Sequence, residues 1–527
     1  MPAVMTRILR TRILCLLWIG ILLSSCTSIN PDMVRPISQT FTLPTETRLG
    51  QWFPKLAIPD TADSAFAPVS SGRDALAARL TLIDQAEKTL DMQYYMIRDD
   101  SSTQLLLFHL LQAADRGVRV RLLIDDIYGL KRDYMLATLS AHPHIEIRVF
   151  NPFLARGPFN PLRVVEFFYK SSLNKRMHNK LLVVDNAAMI VGGRNLGNEY
   201  FESESDTAFT DLDVLALGPV VQQASLSFDE YWNHQLAVPV KAFRREAPSE
   251  EHLDQMRFRL QKLMADLEQT RYPLAFSESR FASAILKQSL PFRTGRARLL
   301  YDRPEKIKED GKILFRGIYL AADLYPELKS AETDVLLVSP YFVPGSRLRE
   351  LLTTLARKGV RVRVLTNSLA ATDVPFVHGA YARRRTDLLK QGIEFYEMRS
   401  LRKKPFPSFH LIGSSQSSLH AKAFIVDRKT VFIGSMNLDQ RSFYLNTETG
   451  LLVYSPALAT DLKASFERLL QPDLSYQVLI NPQDDSKLVW RGQEQGKLVD
   501  VSHEPGAGLW RRLKAGLFGR LIPDRML

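Results

Sequence analysis

His178-Asn179-Lys180-Leu181-Leu182-Val183-Val184-Asp185 and His420-Ala421-Lys422-Ala423-Phe424-Ile425-Val426-Asp427 are two copies of one pattern, H-x-K-x4-D. Gly192-Gly193-Arg194-Asn195 follows the first copy and Gly434-Ser435-Met436-Asn437 the second, so that His178 to His420, Lys180 to Lys422 and Asn195 to Asn437 keep one constant offset. One copy alone would carry little weight, whereas two in register specify a duplicated chemical unit. His and Lys at i and i+2 of an extended strand project from one face, and the apolar run behind each Lys continues that strand into a core. The small residues and the Asn follow the next strand, expected at 188–191 and 431–433. There the backbone can approach a ligand closely and an amide can donate to an oxyanion. Two His, two Lys and two Asn around one pocket match a pentavalent phosphate, with ammonium and amide groups on the equatorial oxygens and imidazoles in line on either side.

Outward from the motifs, helices alternate with strands, which predicts an α/β sandwich. Residues 75–87 carry Leu76, Leu80 and Ile83 at helical spacing, 90–97 read as a strand, 103–115 as a helix stopped by Gly117, and 118–124 as a strand ending at Asp125-Asp126. Arg116-Gly-Val-Arg-Val-Arg recurs as Lys358-Gly-Val-Arg-Val-Arg, and Met92-Gln-Tyr-Tyr resembles Val338-Ser-Pro-Tyr, so a whole domain is duplicated. The domains expected are 72–240 and 296–475. Between them, 241–295 reads as a linker with a helical insertion, its charged helix near 250–270 a solvated face.

This doubled motif resembles the signature of the phospholipase D superfamily, over residues 72 to 475 or so. The resemblance implies two α/β halves about a pseudo-two-fold axis with the active site between them, and transfer of phosphatidyl or phosphodiester groups through a phosphohistidine without metal or other cofactor. By family precedent His178 would be the nucleophile and His420 the acid and then the base, while Lys180, Lys422, Asn195, Asn437, Gly193 and Ser435 would surround the phosphate. Asp185 and Asp427 complete the motif and are expected to pair with backbone at a strand end. Each His also needs a carboxylate on its other ring nitrogen. Glu448 follows Asn437 at the spacing the family pattern asks for, and aligning Ser455-Pro456 with Gly218-Pro219 sets Asp211 opposite it. Asp211 is therefore expected on His178 and Glu448 on His420, with Asp213 as the rival of Asp211, because five extra residues including Glu202 and Glu204 intervene.

The chain has 527 residues, 45% of them hydrophobic, and a formal charge of +12. That is too apolar for disorder and long enough for two or three cores. Its only cysteines, Cys15 and Cys26, both fall near the start of the chain, which excludes a disulfide scaffold, a cysteine zinc site and thiol catalysis for the body. Arg7, Arg10 and Arg12 precede an uncharged apolar run at 13–23, the form of a signal peptide over residues 1–25. Leu23-Ser24-Ser25-Cys26 resembles a bacterial lipobox, which implies diacylglycerol on Cys26 and a lipoprotein facing the periplasm. Thr27 in place of an aspartate would sort it to the outer membrane, whereas phospholipid synthesis is expected at the inner one. Losing residues 1–25, with those three arginines and no acid, lowers the charge from +12 to +9. A basic, acylated body suits anionic phospholipid. The charge would also suit nucleic acid, against which stand the lipobox, a terminal amphipathic helix and a size above that of single-motif nucleases.

Residues 26–71, rich in Pro, Ser and Thr, read as a tether, with order beginning near Gly72. Residues 476–527 read as a tail ending in an amphipathic helix. There Leu509, Trp510, Leu513, Leu517, Phe518, Leu521 and Ile522 alternate with Arg511, Arg512, Lys514 and Arg520, to meet a membrane or dock on the body. The stretch from Trp490 resembles the end of the bacterial cardiolipin synthase C group. Phosphatidyl transfer to phosphatidylglycerol, with phosphatidylethanolamine as another lipid to test, is the activity implied; hydrolysis to phosphatidic acid and nuclease action are the alternatives. The other histidines have no motif context, and no spacing suggests a metal site. Arg383-Arg384-Arg385, Arg402-Lys403-Lys404, Tyr169-Lys170 and Lys175-Arg176 are further candidates for phosphate contact.

Overall fold

The computed structural model describes residues 33–58, 60–127, 133–154, 166, 171–201, 209–243, 248–268, 279–309, 319–400, 418–521 and 523. The leader, Cys26, Glu202, Glu204, Tyr169-Lys170 and Arg402-Lys403-Lys404 lie outside the described residues.

The first half contributes β1 (Asp63–Val69), β2 (Thr89–Tyr94), β3 (Arg119–Asp125), β4 (Ile145–Phe150), β5 (Lys180–Val184), β6 (Ala188–Gly192), β7 (Phe209–Thr210), β8 (Asp213–Leu217) and β9 (Ala237–Pro239). The second contributes β10 (Arg293–Tyr301), β11 (Asp334–Val338), β12 (Phe342–Val343), β13 (Arg361–Asn367), β14 (Glu394–Met398), β15 (Ser418–Leu419), β16 (Ala423–Val426), β17 (Thr430–Gly434), β18 (Leu438–Asp439), β19 (Thr449–Tyr454), β20 (Ser475–Asn481), β21 (Asp484–Glu494) and β22 (Lys497–Val501). Eighteen of these join into one sheet. Its pairings run β9-β4-β3-β2-β5-β6-β8-β1 and on through β10-β19-β17-β16-β11-β13-β14-β20-β21-β22. The order reads alike outward from the β1–β10 seam, as a duplication about a pseudo-two-fold axis requires.

The two motif strands are buried on both faces. Alternation divides them between cores: Leu182 and Val184 pack beneath the helices Gly72–Gln85 and Ser101–Asp115, while Leu181 and Val183 enter a core shared with Ala423, Ile425 and the helices Pro219–Trp232 and Pro456–Leu469. Phe424 and Val426 complete the outer core of the second half. Local signals agree across the repeat. Gly117 and Gly359 take φ of +91° and +87° to end equivalent helices, a conformation a β-carbon disfavours.

Several expectations change. The Pro-rich tether is shorter than expected: Leu49 and Trp52 are core residues, and β1, inside the segment assigned to the tether, is the seam strand of the sheet. The supposed solvated helix, Glu250–Glu268, buries Leu253 and Leu260 and pairs Arg257 with Asp115 at 2.5 Å, so it is amphipathic and docked. The tail begins as part of the second half, since β20 to β22 extend its sheet. The alignment of Met92 with Val338 is one residue out. Thr89 pairs with Arg119 and Asp334 with Arg361, which makes Thr89 of β2 the equivalent of Asp334 of β11 and sets Met92 opposite Leu337. That single step matters, because strand faces alternate.

Candidate active site

The site forms where each half lends a backbone segment to the other. His178 N donates to Thr447 O at 2.8 Å and Thr447 N to Arg176 O at 2.9 Å, while His420 N donates to Thr210 O at 2.8 Å and β15 pairs with β7 in parallel. The residues after Thr447 and Thr210 are Glu448 and Asp211, so each carboxylate arrives beside the histidine of the opposite half. His178 Nδ1 lies 2.8 Å from Glu448 Oε2, and His420 Nδ1 lies 2.6 Å from Asp211 Oδ2. The expected pairing of Asp211 with His178 and Glu448 with His420 is thus exchanged. Asp213 is no rival: it accepts from Arg79 at 2.9 Å and lies 3.4 Å from Arg194.

With Nδ1 engaged, Nε2 is the ring nitrogen left for chemistry on both histidines. Tyr95 stands edge-on to His178, centroids 4.8 Å apart, and Tyr200 does the same for His420 at 5.2 Å. Lys180 Nζ donates to His178 O at 2.7 Å and Lys422 Nζ to His420 O at 2.5 Å, which fixes both ammoniums at the histidines and leaves each further donors. The Oδ1 atoms of Asn195 and Asn437 are buried without a hydrogen-bond partner. Asn195 Nδ2 donates to Tyr200 Oη at 2.9 Å, and turning this amide over would aim its NH2 at a ligand while the tyrosine donates instead.

Electrostatics separate the two pairs. Burial, with Lys180, Lys422 and Arg441 nearby, drives His178 well below its ordinary range. His420 falls to about 4 through burial and Lys422, with Asp211 opposing. Burial raises Glu448 to about 7 against the pull of Lys180. Asp211 is also buried, but His420, Lys422 and Arg194 hold it below the usual carboxylate range. Burial lowers Lys422 to about 8, opposed by Asp211 and Glu448, and also depresses Lys180.

Gly193 and Ser435, expected around the phosphate, adjoin the two carboxylates. Ser435 Oγ donates to Glu448 at 2.5 Å and accepts from Thr449 N, and a β-carbon on Gly193 would lie 2.1 Å from Asp211 Oδ1. Both serve the carboxylates. Asp185 and Asp427, the acids that close the catalytic motif, meet backbone amides at a strand end. Asp185 accepts from the backbone of Glu87, Lys88 and Thr89 at 2.8–3.0 Å, and Asp427 from Glu332, Thr333 and Asp334 at 2.8–2.9 Å. Their φ of +53° and +50°, followed by +50° and +55°, makes each the first residue of a tight hairpin turn that Asp tolerates.

Arg176 is buried against both oxygens of Asp125 at 2.9 and 3.0 Å, and Lys175 donates to Glu309 O, so neither is directed at substrate. Arg385 is equally committed, to Glu397 and Glu504 at 2.5 and 2.8 Å. It supplies the countercharge within the only cluster of metal-like spacing among the described residues, His378, Glu397 and Glu504. Sequence reading missed Tyr95, Tyr200, Thr210 and Thr447. Only the position of Thr447 and Thr210 beside the carboxylates could have pointed to the exchange.

The model of the family described as "Cardiolipin synthase, PLD-like domain" matches residues 80–232 and 324–470. The chain is 38% identical to cardiolipin synthase C of Escherichia coli (strain K12) over 473 residues, 87% of this chain and 95% of that protein. Against a cardiolipin synthase of Geobacillus thermodenitrificans the identity is 26%, over 75% of this chain and 64% of that one. A crystal structure of phosphatidylserine synthase from Haemophilus influenzae shares the fold, with a TM-score of 0.55, 12% identity and coverage of 86% of this chain and 91% of that one. With two matched domains meeting at one paired histidine site, the chain belongs to the cardiolipin synthase family of phospholipase D-like proteins.

Proposed function

We propose that the protein is a phosphatidyltransferase that moves a phosphatidyl group from one phospholipid to the hydroxyl of phosphatidylglycerol, through a phosphohistidine on His178. The observation that carries this reading is the pair of buried histidines, each fixed through Nδ1 by the other half's carboxylate, with Lys180 and Lys422 beside them.

His178 Nε2 attacks phosphorus, the P–N bond forms and the bond to the headgroup oxygen breaks, while His420 gives that oxygen its proton. His420 then takes the proton of the incoming hydroxyl, whose oxygen displaces His178 from phosphorus. The charge of the bound phosphodiester raises both imidazoles. His420, backed by an ionised Asp211, is the holder of the proton, and His178, kept unprotonated by burial and by Lys180 and Lys422, is the nucleophile. Lys180, Lys422, Asn195 and Asn437 hold the equatorial oxygens. The signal segment and Cys26 fit a lipoprotein anchored at the periplasmic face of a bacterial membrane.

The test is incubation in mixed vesicles of labelled phosphatidylglycerol and phosphatidylethanolamine, with products separated by mass. A doubly acylated bisphosphatidyl product supports transfer. Phosphatidic acid alone would reduce the reading to hydrolysis, and no lipid turnover beside cleavage of DNA would overturn it.

A further inference from the structure

The helix Leu509–Leu521 is docked with Ala515 and Gly519 inward. A β-carbon on Gly379 would lie 2.0 Å from Ala515 O, and one on Gly519 would lie 2.7 Å from Gly379 C, so this helix and the helix Pro375–Lys390 touch backbone to backbone. Arg511 donates to Leu369 O at 2.7 Å and to Thr372 O, and upstream Glu504 is tied to the buried Arg385. The segment is therefore fixed on the body.

Five of its large apolar residues point the other way. Leu509, Trp510, Leu513, Leu517 and Leu521 are 53% to 76% exposed and fall, at 100° per residue, within about a third of the helix circumference. Packing alone would have buried these side chains and exposed Ala515 and Gly519. Arg512, Lys514 and Arg520 lie on the same helix, which carries no acidic residue. Two copies meeting through this face would oppose like charges, whereas an anionic lipid surface complements them. The helix is also linked to the site through one loop. The loop that Arg511 grips continues into Asp373, which accepts from Tyr341 Oη at 2.8 Å and acts electrostatically on Lys422 and Tyr200.

We propose that this outward face is a seat for the bilayer, holding the mouth of the active site against the phospholipid surface on which it works. The proposal rests on the phospholipid reading of the site. Its test uses the full chain with vesicles of phosphatidylglycerol and phosphatidylethanolamine brominated on the acyl chains. Of the five tryptophans, Trp18 lies in the leader and Trp52, Trp232 and Trp490 are buried; all four are unchanged in Trp510→Phe, so the difference between wild type and this variant reports Trp510. The expected result is quenching of Trp510 by the bromines with a blue shift. A Trp510 signal that stays water-like, or one that shifts with protein concentration in the absence of lipid, as a second copy would cause, overturns the proposal.

In a second arm, Leu513→Glu/Leu517→Glu should lower the rate on vesicles about tenfold or more and leave the rate on monomeric short-chain phosphatidylglycerol within about twofold. An unchanged vesicle rate, or an equal loss on both substrates, contradicts it. Quenching of Trp510 in a wild-type protein that turns over no phospholipid would sink the functional reading and leave the bilayer seat standing.

Discussion

His178 Nδ1 lies 2.8 Å from Oε2 of Glu448, a carboxylate that belongs to the opposite half of the duplicated chain. The reciprocal contact, His420 to Asp211 at 2.6 Å, makes the exchange complete. Its cause is the backbone: the segment before each histidine bonds to Thr447 or Thr210, and the next residue along is the acid. Neither half alone holds a complete histidine–carboxylate pair.

Asp185 should matter for folding more than for turnover. Asp185→Ala leaves the amides of Glu87, Lys88 and Thr89 without their acceptor, at a cost of about 2–3 kcal/mol. Denaturant unfolding should show that loss, with kcat per folded molecule within about threefold of wild type.

Lys422 should set an alkaline limb. Burial brings it to about 8, so it is charged below that pH and loses its proton above it, and with it the hold on phosphate. The free-enzyme profile, kcat/KM against pH, should fall above about pH 8. In Lys422→Arg, which stays protonated, that limb should vanish even if the maximum drops.

The motif strands were legible in the sequence because their evidence is local: His and Lys two apart, then an unbroken apolar run, twice. The same holds for Gly117 and Gly359 and for the role of Asp185 and Asp427. The carboxylate partners were legible as residues but not as pairs, because pairing depends on Thr447 and Thr210 crossing between halves, a contact between segments far apart in the chain. β1 was hidden by its composition, Asp-Ser-Ala-Phe-Ala-Pro-Val, in which Pro68 suggests a linker. The closeness of Gly193 to Asp211 and of Ser435 to Glu448 was not legible, because it joins segments apart in the sequence.

Arg176 precedes His178 by two residues and should nevertheless act on stability. Arg176→Met strands Asp125 in the interior and should cost about 3–5 kcal/mol by equilibrium unfolding. A phosphate-binding role would instead raise KM in a normally stable protein.

The exchanged pairing is tested most directly by rapid-quench measurement of phosphoenzyme on a phosphatidyl ester with a nitrophenol leaving group, which needs no acid to depart. Asp211→Asn disables His420, so phosphoenzyme should form at near the wild-type rate and then accumulate, its breakdown slowed about 10²–10⁴-fold. Glu448→Gln disorients His178, so formation itself should slow by a similar factor. The reverse pattern, with Asp211→Asn blocking formation and Glu448→Gln trapping the intermediate, would contradict the account.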